Sequence, residues 1–166
     1  MSEATGARVD IEMTVGKDAA QMWELITDVS RIGEFSPECT GAAWLTESAT
    51  GPRPGDRFSG HNEYGSGFAS DVTCVVTAAE RPSVFEWIVL DPSADPAIPG
   101  SIWRYELVPG AGGQLTVRHS FEHGPGVTGL SEGMRQSPDQ AQSVLDGRLD
   151  ILRKHMTITL DAMAAS

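Results

Sequence analysis

The chain has 166 residues, 40% of them apolar, enough to bury one sizeable core and too few for a second independent domain of ordinary size. Twelve Lys and Arg stand against 23 Asp and Glu, and the net charge of −11 opposes binding to nucleic acid or to an anionic membrane surface. No apolar run reaches the roughly 18 residues of a membrane span, and the opening MSEATGARVD lacks the basic-then-apolar pattern of a signal peptide, so a cytoplasmic protein without membrane insertion is expected.

Residues 8–15, RVDIEMTV, alternate strictly and predict a half-buried strand with Val9, Ile11, Met13 and Val15 on one face. Gly16-Lys17-Asp18 offers a turn and a cap. Ala19, Met22, Trp23 and Ile26 then recur at helical spacing, predicting a helix that ends near Asp28. A second short helix is expected from a Ser30 cap and must stop before Pro37, because the residue preceding proline is pushed out of the helical region.

From residue 39 to 123 the period is two, broken by Gly, Pro and Asp clusters. The breaks leave strands at 39–46, 56–64, 68–79, 84–90, 101–108 and 114–123, joined mostly by short connections that suit an antiparallel meander. Residues 124–137 carry four glycines and no clean period, and read as a loop or poorly formed helix able to serve as a lid. Ser137-Pro138-Asp139-Gln140 has the pattern of a capping box with proline at the first helical position. Ala141, Leu145, Leu149, Leu152, Met156, Leu160 and Met163 then form one apolar stripe along a helix of about 35–40 Å. Strand, two short helices, six strands and a long helix make an α+β chain, read as one domain over 1–166 with an ordered core at about 8–164. A strongly curved antiparallel sheet around a long helix leaves space that side chains do not fill.

Parity selects the residues that see this space. Outward Glu86 sets Phe85, Trp87 and Val89 inward, and outward Arg104 and Glu106 set Trp103, Tyr105 and Leu107 inward. Such aromatics serve equally as plain core or as pocket walls. Leu115, Val117 and Phe121 share parity with His119 and His123. An inward imidazole at 119 can orient a ligand carbonyl, act as general acid and base, or simply be hydrogen-bonded within the core; His123, at the strand end, reads as a rim residue. Asn62 shares a face with Phe58 and Gly60 and either fixes backbone or contacts ligand. The Tyr105 phenol either donates to a ligand oxygen or finds a backbone carbonyl. His61 and Glu63 face solvent, and Arg148 and His155 read as solvated flanks of the long helix beside the cavity mouth.

Metal binding is not expected, since His119 and His123 sit about 13 Å apart on a strand. Cys39 and Cys74 have no CxxC or HxxC companion, which opposes a disulfide framework or a zinc site, and Cys74 reads as an inert buried thiol. No motif for acyl transfer, nucleotide hydrolysis or dinucleotide binding is present, and no cofactor is expected.

MWELITDVSRIGEFSPEC in the first helices, GDRFSGHNEYG in the third strand, SIWRYELVPGAGGQLTV across a late hairpin and the closing helix together resemble the SRPBCC superfamily, the START-like helix-grip proteins. The F-x-G-x-N strand of Phe58, Gly60 and Asn62 is most similar to the polyketide cyclase/dehydrase branch. The resemblance implies a helix-grip fold, a curved seven-stranded sheet wrapped around the long helix. It also implies a hydrophobic, aromatic or polyketide-like ligand, with ring closure or dehydration if the chain is an enzyme. In that case His119 would carry the proton and Tyr105 would donate to the oxyanion. Phe58, Asn62, Phe85, Trp87, Trp103, Phe121, Leu152 and Met156 are the expected ligand contacts. The superfamily hosts binders as well as enzymes, so a noncatalytic lipid or hydrophobic-ligand carrier, and a toxin-like or chaperone-like partner-binding protein, remain alternatives. Monomer and homodimer both stay open.

Overall fold

The computed structural model describes residues 3–166; the first two residues of the amino-terminal stretch fall outside them. Strand β1 (Arg8–Val15) leads into helix α1 (Ala19–Thr27) and a 3-10 helix (Val29–Glu34). Six strands follow: β2 (Cys39–Trp44), β3 (Arg57–Glu63), β4 (Ala69–Glu80), β5 (Val84–Val89), β6 (Ser101–Pro109) and β7 (Leu115–His123). Helix α2 (Gly129–Gln136) and the long helix α3 (Ala141–Ala165) close the chain.

The seven strands form one antiparallel sheet in the order β1-β7-β6-β5-β4-β3-β2, so β1 and β2 are its two margins. Alternation along each strand decides which side chains meet. Phe121 lies opposite Val9 and Trp103, His119 opposite Ile11 and Tyr105, and Trp87 opposite Trp103, all on the concave face. The convex face carries the charges that parity placed outward, with Arg104 bonded to Glu86 and Glu106, Arg118 to Glu12, and Arg8 to Asp10 and Glu122. Register shifts between Cys39 and Gly41 and between Val76 and Ala78 mark bulges, which bend a sheet and so help curve this one around its contents.

Asp18 caps α1 through the backbone N–H of Gln21, and the Gln21 side chain returns the bond to the Asp18 N–H, so two orphan donors are satisfied at once. Buried Met22, Trp23 and Ile26 seat the helix, with Trp23 meeting Phe85 edge-on at 6.0 Å. The expected Ser30 cap does not form. The 3-10 helix begins two residues earlier, with Asp28 as its cap residue, and the Ser30 hydroxyl donates to the Asp28 carboxylate at 2.6 Å instead of reaching the backbone.

Two further expectations are corrected at the carboxy-terminal end. Residues 129–136 form a capped helix, with Thr128 and Ser131 in a reciprocal capping box and Met134 buried against Ala4 and Ala141. Gly129 and Gly133 weaken the sequence signal, and tertiary burial of Met134 outweighs them. Ser137 caps nothing with its side chain, because its own N–H closes α2 on the carbonyl of Gly133 and its backbone is not in an N-cap conformation. A 3-10 turn over Pro138–Gln140 precedes α3. Helix α3 runs 25 residues, roughly 37 Å at 1.5 Å per residue, and buries Leu152, Met156, Thr159, Leu160 and Met163. Leu152 and Met156 pack on Val9 and Phe121, which places α3 over the β1 side of the concave face.

His123 is a correction of another kind. It is no rim residue but is buried, its Nδ1–H donating to the carbonyl of Gly124 at 2.7 Å and its Nε2 accepting from the Thr128 hydroxyl at 2.6 Å, so it ties β7 to the cap of α2. The intervening chain lies close on the β5–β6 connection: a Cβ at Gly126 would stand 2.5 Å from the Ile98 carbonyl oxygen. Gly126→Ala is therefore expected to cost about 2 kcal/mol through forced backbone movement, lowering the melting temperature by about 5 °C. Gly129→Ala, where an added Cβ meets nothing within 4 Å, serves as the control and should be neutral or slightly stabilising. Equal melting of the two variants would sink this account.

Candidate functional site

The concave face carries a continuous aromatic surface. Trp87 and Trp103 lie parallel, 5° apart in plane with centroids 6.2 Å apart, and the Trp103 indole N–H donates to Ser101 Oγ at 3.1 Å. Tyr105 and His119 stack face to face at 3.7 Å, and the imidazole also lies 5.7 Å from Trp103 and 6.4 Å from Trp87. Phe58, Phe85 and Phe121 lie on the same face but are packed, Phe85 against Trp23 and Trp44, Phe58 against Trp44, and Phe121 against Trp103, Leu152 and Met156. Trp87, Trp103, Ile11, Val72 and Val89 share the concave side yet stay half-buried. A solid core would have covered them; partial exposure of apolar side chains on a face spanned by a helix marks accessible space beside it. Two surface depressions are present, one of about 330 Å³ at the start of α1 and one of about 470 Å³ among the ion pairs of the convex face, whose lining also includes Ile11 and His119.

His119 is defined by one contact. Its Nδ1–H donates to the backbone carbonyl of Arg104 at 2.9 Å; a carbonyl only accepts, so the neutral ring carries its proton on Nδ1 and leaves Nε2 as an acceptor. Burial pushes its pKa down to about 4 against the partly opposing bond to the Arg104 carbonyl, so the imidazole is neutral near pH 7. With Nδ1 held at the strand backbone, Nε2 is the ring nitrogen left to accept from another group. Burial likewise pushes the Tyr105 phenol well above its ordinary value, keeping it a neutral donor. Both residues are at most 5% exposed, yet among the described residues neither Nε2 nor the Tyr105 hydroxyl has a hydrogen-bond partner. No fully enclosed side-chain polar atom of the described residues is left unbonded, so both atoms keep contact with accessible space.

Asn62 sits half-buried on β3, its amide donating to Ser70 Oγ at 3.4 Å, with the Tyr64 hydroxyl 2.8 Å from the same oxygen. His61 faces outward and pairs with Asp71 at 2.7 Å. Cys74 is buried, and burial holds its thiol up at about 12, which leaves it unreactive at neutral pH.

Arg148 and His155 are not solvated helix flanks. Arg148 makes a bidentate pair with Glu38 at 2.6 and 2.8 Å, and His155 Nδ1 lies 3.3 Å from the same carboxylate. Burial drives the Glu38 carboxyl up, but its bonds to Arg148 and His155 outweigh this and hold it below the usual range. The Arg148 guanidinium also covers the Tyr64 ring at 5.5 Å. Glu38 immediately precedes β2, one margin of the sheet, while α3 lies over the other, so the pair straps the concave face from side to side. The sequence reading missed Glu38, which sits beside the Ser-Pro helix stop. The available signal was the seven-residue spacing of Arg148 and His155, which puts two bases on one side of α3 and calls for a buried acid.

A curved sheet gripping a helix, with paired indoles and two unpartnered polar atoms on its inner face, defines a helix-grip protein. The family model described as polyketide cyclase / dehydrase and lipid transport matches residues 6–157, and the chain belongs to that family, within the SRPBCC superfamily. No curated protein matches it in sequence. Among solved structures it is similar to a polyketide-cyclase-like protein of Corynebacterium glutamicum, with 21% identity, TM-score 0.66, and coverage of 96% of this chain and 90% of that one. It is also similar to the Zhui aromatase/cyclase of a Streptomyces species, with 16% identity, TM-score 0.68, and coverage of 95% and 91%. A START superfamily protein from Mycobacterium smegmatis gives 14% identity, TM-score 0.58, and coverage of 87% and 98%. At these identities the likeness is one of fold. Among the described residues, no helix is long and apolar enough to cross a membrane, and no group of three or more His, Cys, Asp and Glu could hold a metal ion.

Proposed function

We propose that the protein binds a hydrophobic, aromatic or polyketide-like small molecule in the space between the concave face and α3. The single observation that carries this reading is the unpartnered His119 Nε2 and Tyr105 hydroxyl, both deeply buried beside two half-exposed parallel indoles. Apolar walls with a few convergent polar atoms are what a small-molecule site requires. Family membership supports the ligand class, and the two free cysteines suit a reducing compartment such as the cytoplasm.

If the protein is an enzyme, ring closure or dehydration is the reaction this set serves. The hollow would hold a flexible chain in reactive geometry, Tyr105 would donate to the oxygen of a developing enolate, and neutral His119 would take a proton at Nε2. One observation favours a noncatalytic carrier instead: an imidazole held down at about 4 is a weaker base than a group tuned to work near neutrality.

Titration with N-phenylnaphthylamine, read by its fluorescence and by tryptophan quenching, should saturate at one site per chain. Trp103→Ala should weaken that binding about tenfold, the scale of one lost aromatic contact. Absence of saturable binding in the unmodified protein would remove enzyme and carrier readings together. His119→Ala and Tyr105→Phe separate the two, since a carrier keeps its stoichiometry whereas a cyclase loses turnover while retaining ligand.

A further inference from the structure

The polar atoms on the concave face differ in kind, and the difference constrains the ligand. His119 Nε2 accepts and does not donate, because Nδ1 holds the ring proton against the Arg104 carbonyl. The partly buried charges that strap the concave face, Glu38 and Arg148, already neutralise one another through a bidentate pair. A ligand carboxylate would thus meet an acceptor nitrogen, aromatic faces and a cation that is already taken, with the neutral Tyr105 hydroxyl as its single donor beside His119.

We infer that His119 is a specificity-determining acceptor, and that the hollow selects a neutral aromatic ligand carrying a hydroxyl donor, a phenol or an enol, over an otherwise similar carboxylate. This rests on the hollow being the binding site, as proposed above. A hydroxyl that donates to Nε2 satisfies a deeply buried acceptor that no described residue pairs, whereas a ligand without a donor leaves it unpaired and desolvated. Burial of an unpaired polar atom is the stronger of the two effects, so discrimination comes mainly from the penalty on the wrong ligand. A carboxylate is penalised further, because it loses its hydration and gains no free cation. The site therefore opposes fatty-acid-like ligands even though its walls are oily.

The probes are naphthalene, β-naphthol, the methyl ether of β-naphthol and β-naphthoate, titrated at about pH 7 with tryptophan fluorescence as readout. The ether keeps the oxygen and loses only the proton. Wild-type protein should bind β-naphthol about tenfold more tightly than its ether, and β-naphthoate at least about tenfold more weakly than β-naphthol. In His119→Phe, which keeps a ring to stack on Tyr105, naphthol and ether should fall within about twofold of each other while naphthalene still binds. Equal binding of naphthol and ether by the wild type, or naphthoate bound as tightly as naphthol, would overturn the inference while leaving the hollow as a binding site. Failure of all four probes to saturate would overturn the hollow itself. Should His119→Phe not fold, the wild-type comparison of naphthol with its ether decides alone.

Discussion

Acidification from about pH 7 is expected to destabilise this protein well before its carboxylates titrate, through His119. In the unfolded chain the imidazole takes up a proton near pH 6.5, whereas in the folded protein burial holds it neutral down to about 4. Between these values the unfolded state binds more protons, so stability falls as pH falls; above the upper value the group contributes no slope. Across the whole window the loss is about 3 kcal/mol, a large share of the stability of an ordinary domain. His123, also lowered by burial, and Glu38, whose carboxyl is held down mainly against its own burial by Arg148, add losses of the same sign. The Glu38 loss belongs to a lower window, as pH falls through its depressed value. Urea unfolding of wild type and His119→Phe at a series of pH values isolates the His119 share, since both proteins carry the other groups. The wild-type curve should fall more steeply between about pH 6.5 and 4; parallel curves would mean that residue 119 is not the buried neutral base described above.

Removal of the Glu38 carboxylate has the second large effect. Glu38→Ala leaves the Arg148 guanidinium without its bidentate partner, on a side chain only 25% exposed, and releases His155 as well. Breaking a sealed ion pair from one side costs about 3–5 kcal/mol, and partial exposure of this arginine to water reduces the expected loss to about 2–3 kcal/mol. The double replacement Glu38→Ala with Arg148→Met removes both charges and should restore much of the stability lost in Glu38→Ala, because no charge of the pair then remains unpaired. A cycle of denaturant unfolding measurements reads the coupling directly. Additive losses would show that the strap carries no energy.

The two residues differ in how far sequence exposes them. The inward direction of His119 follows from alternation along LTVRHSFEH, a pattern local to one strand, and the structure pairs it with inward Ile11 and Tyr105. Its tautomer does not follow, because the Arg104 carbonyl that fixes it belongs to the neighbouring strand, 15 residues away. Glu38 lies further out of reach: its partner stands 110 residues later, and only the placement of α3 above the opposite sheet margin brings the two together. The aromatics show the same division. Parity put Phe85, Trp87, Trp103, Tyr105 and Phe121 on one side, but their packing against α1 and α3 made Phe85 and Phe121 core and left Trp87 and Trp103 half-exposed.

By itself, then, the sequence determined the strands, the long helix, the two faces of the sheet and the family, since periodicity and turn residues act over a few neighbours and survive without the rest of the fold. Tertiary structure alone decided the capped helix at Gly129–Gln136, the burial of His123, the strap from Glu38 to Arg148 and His155, and the unsatisfied acceptor of His119. Each of these depends on groups distant in the chain being desolvated together, and the free energy of burial is set by the neighbours that the fold supplies.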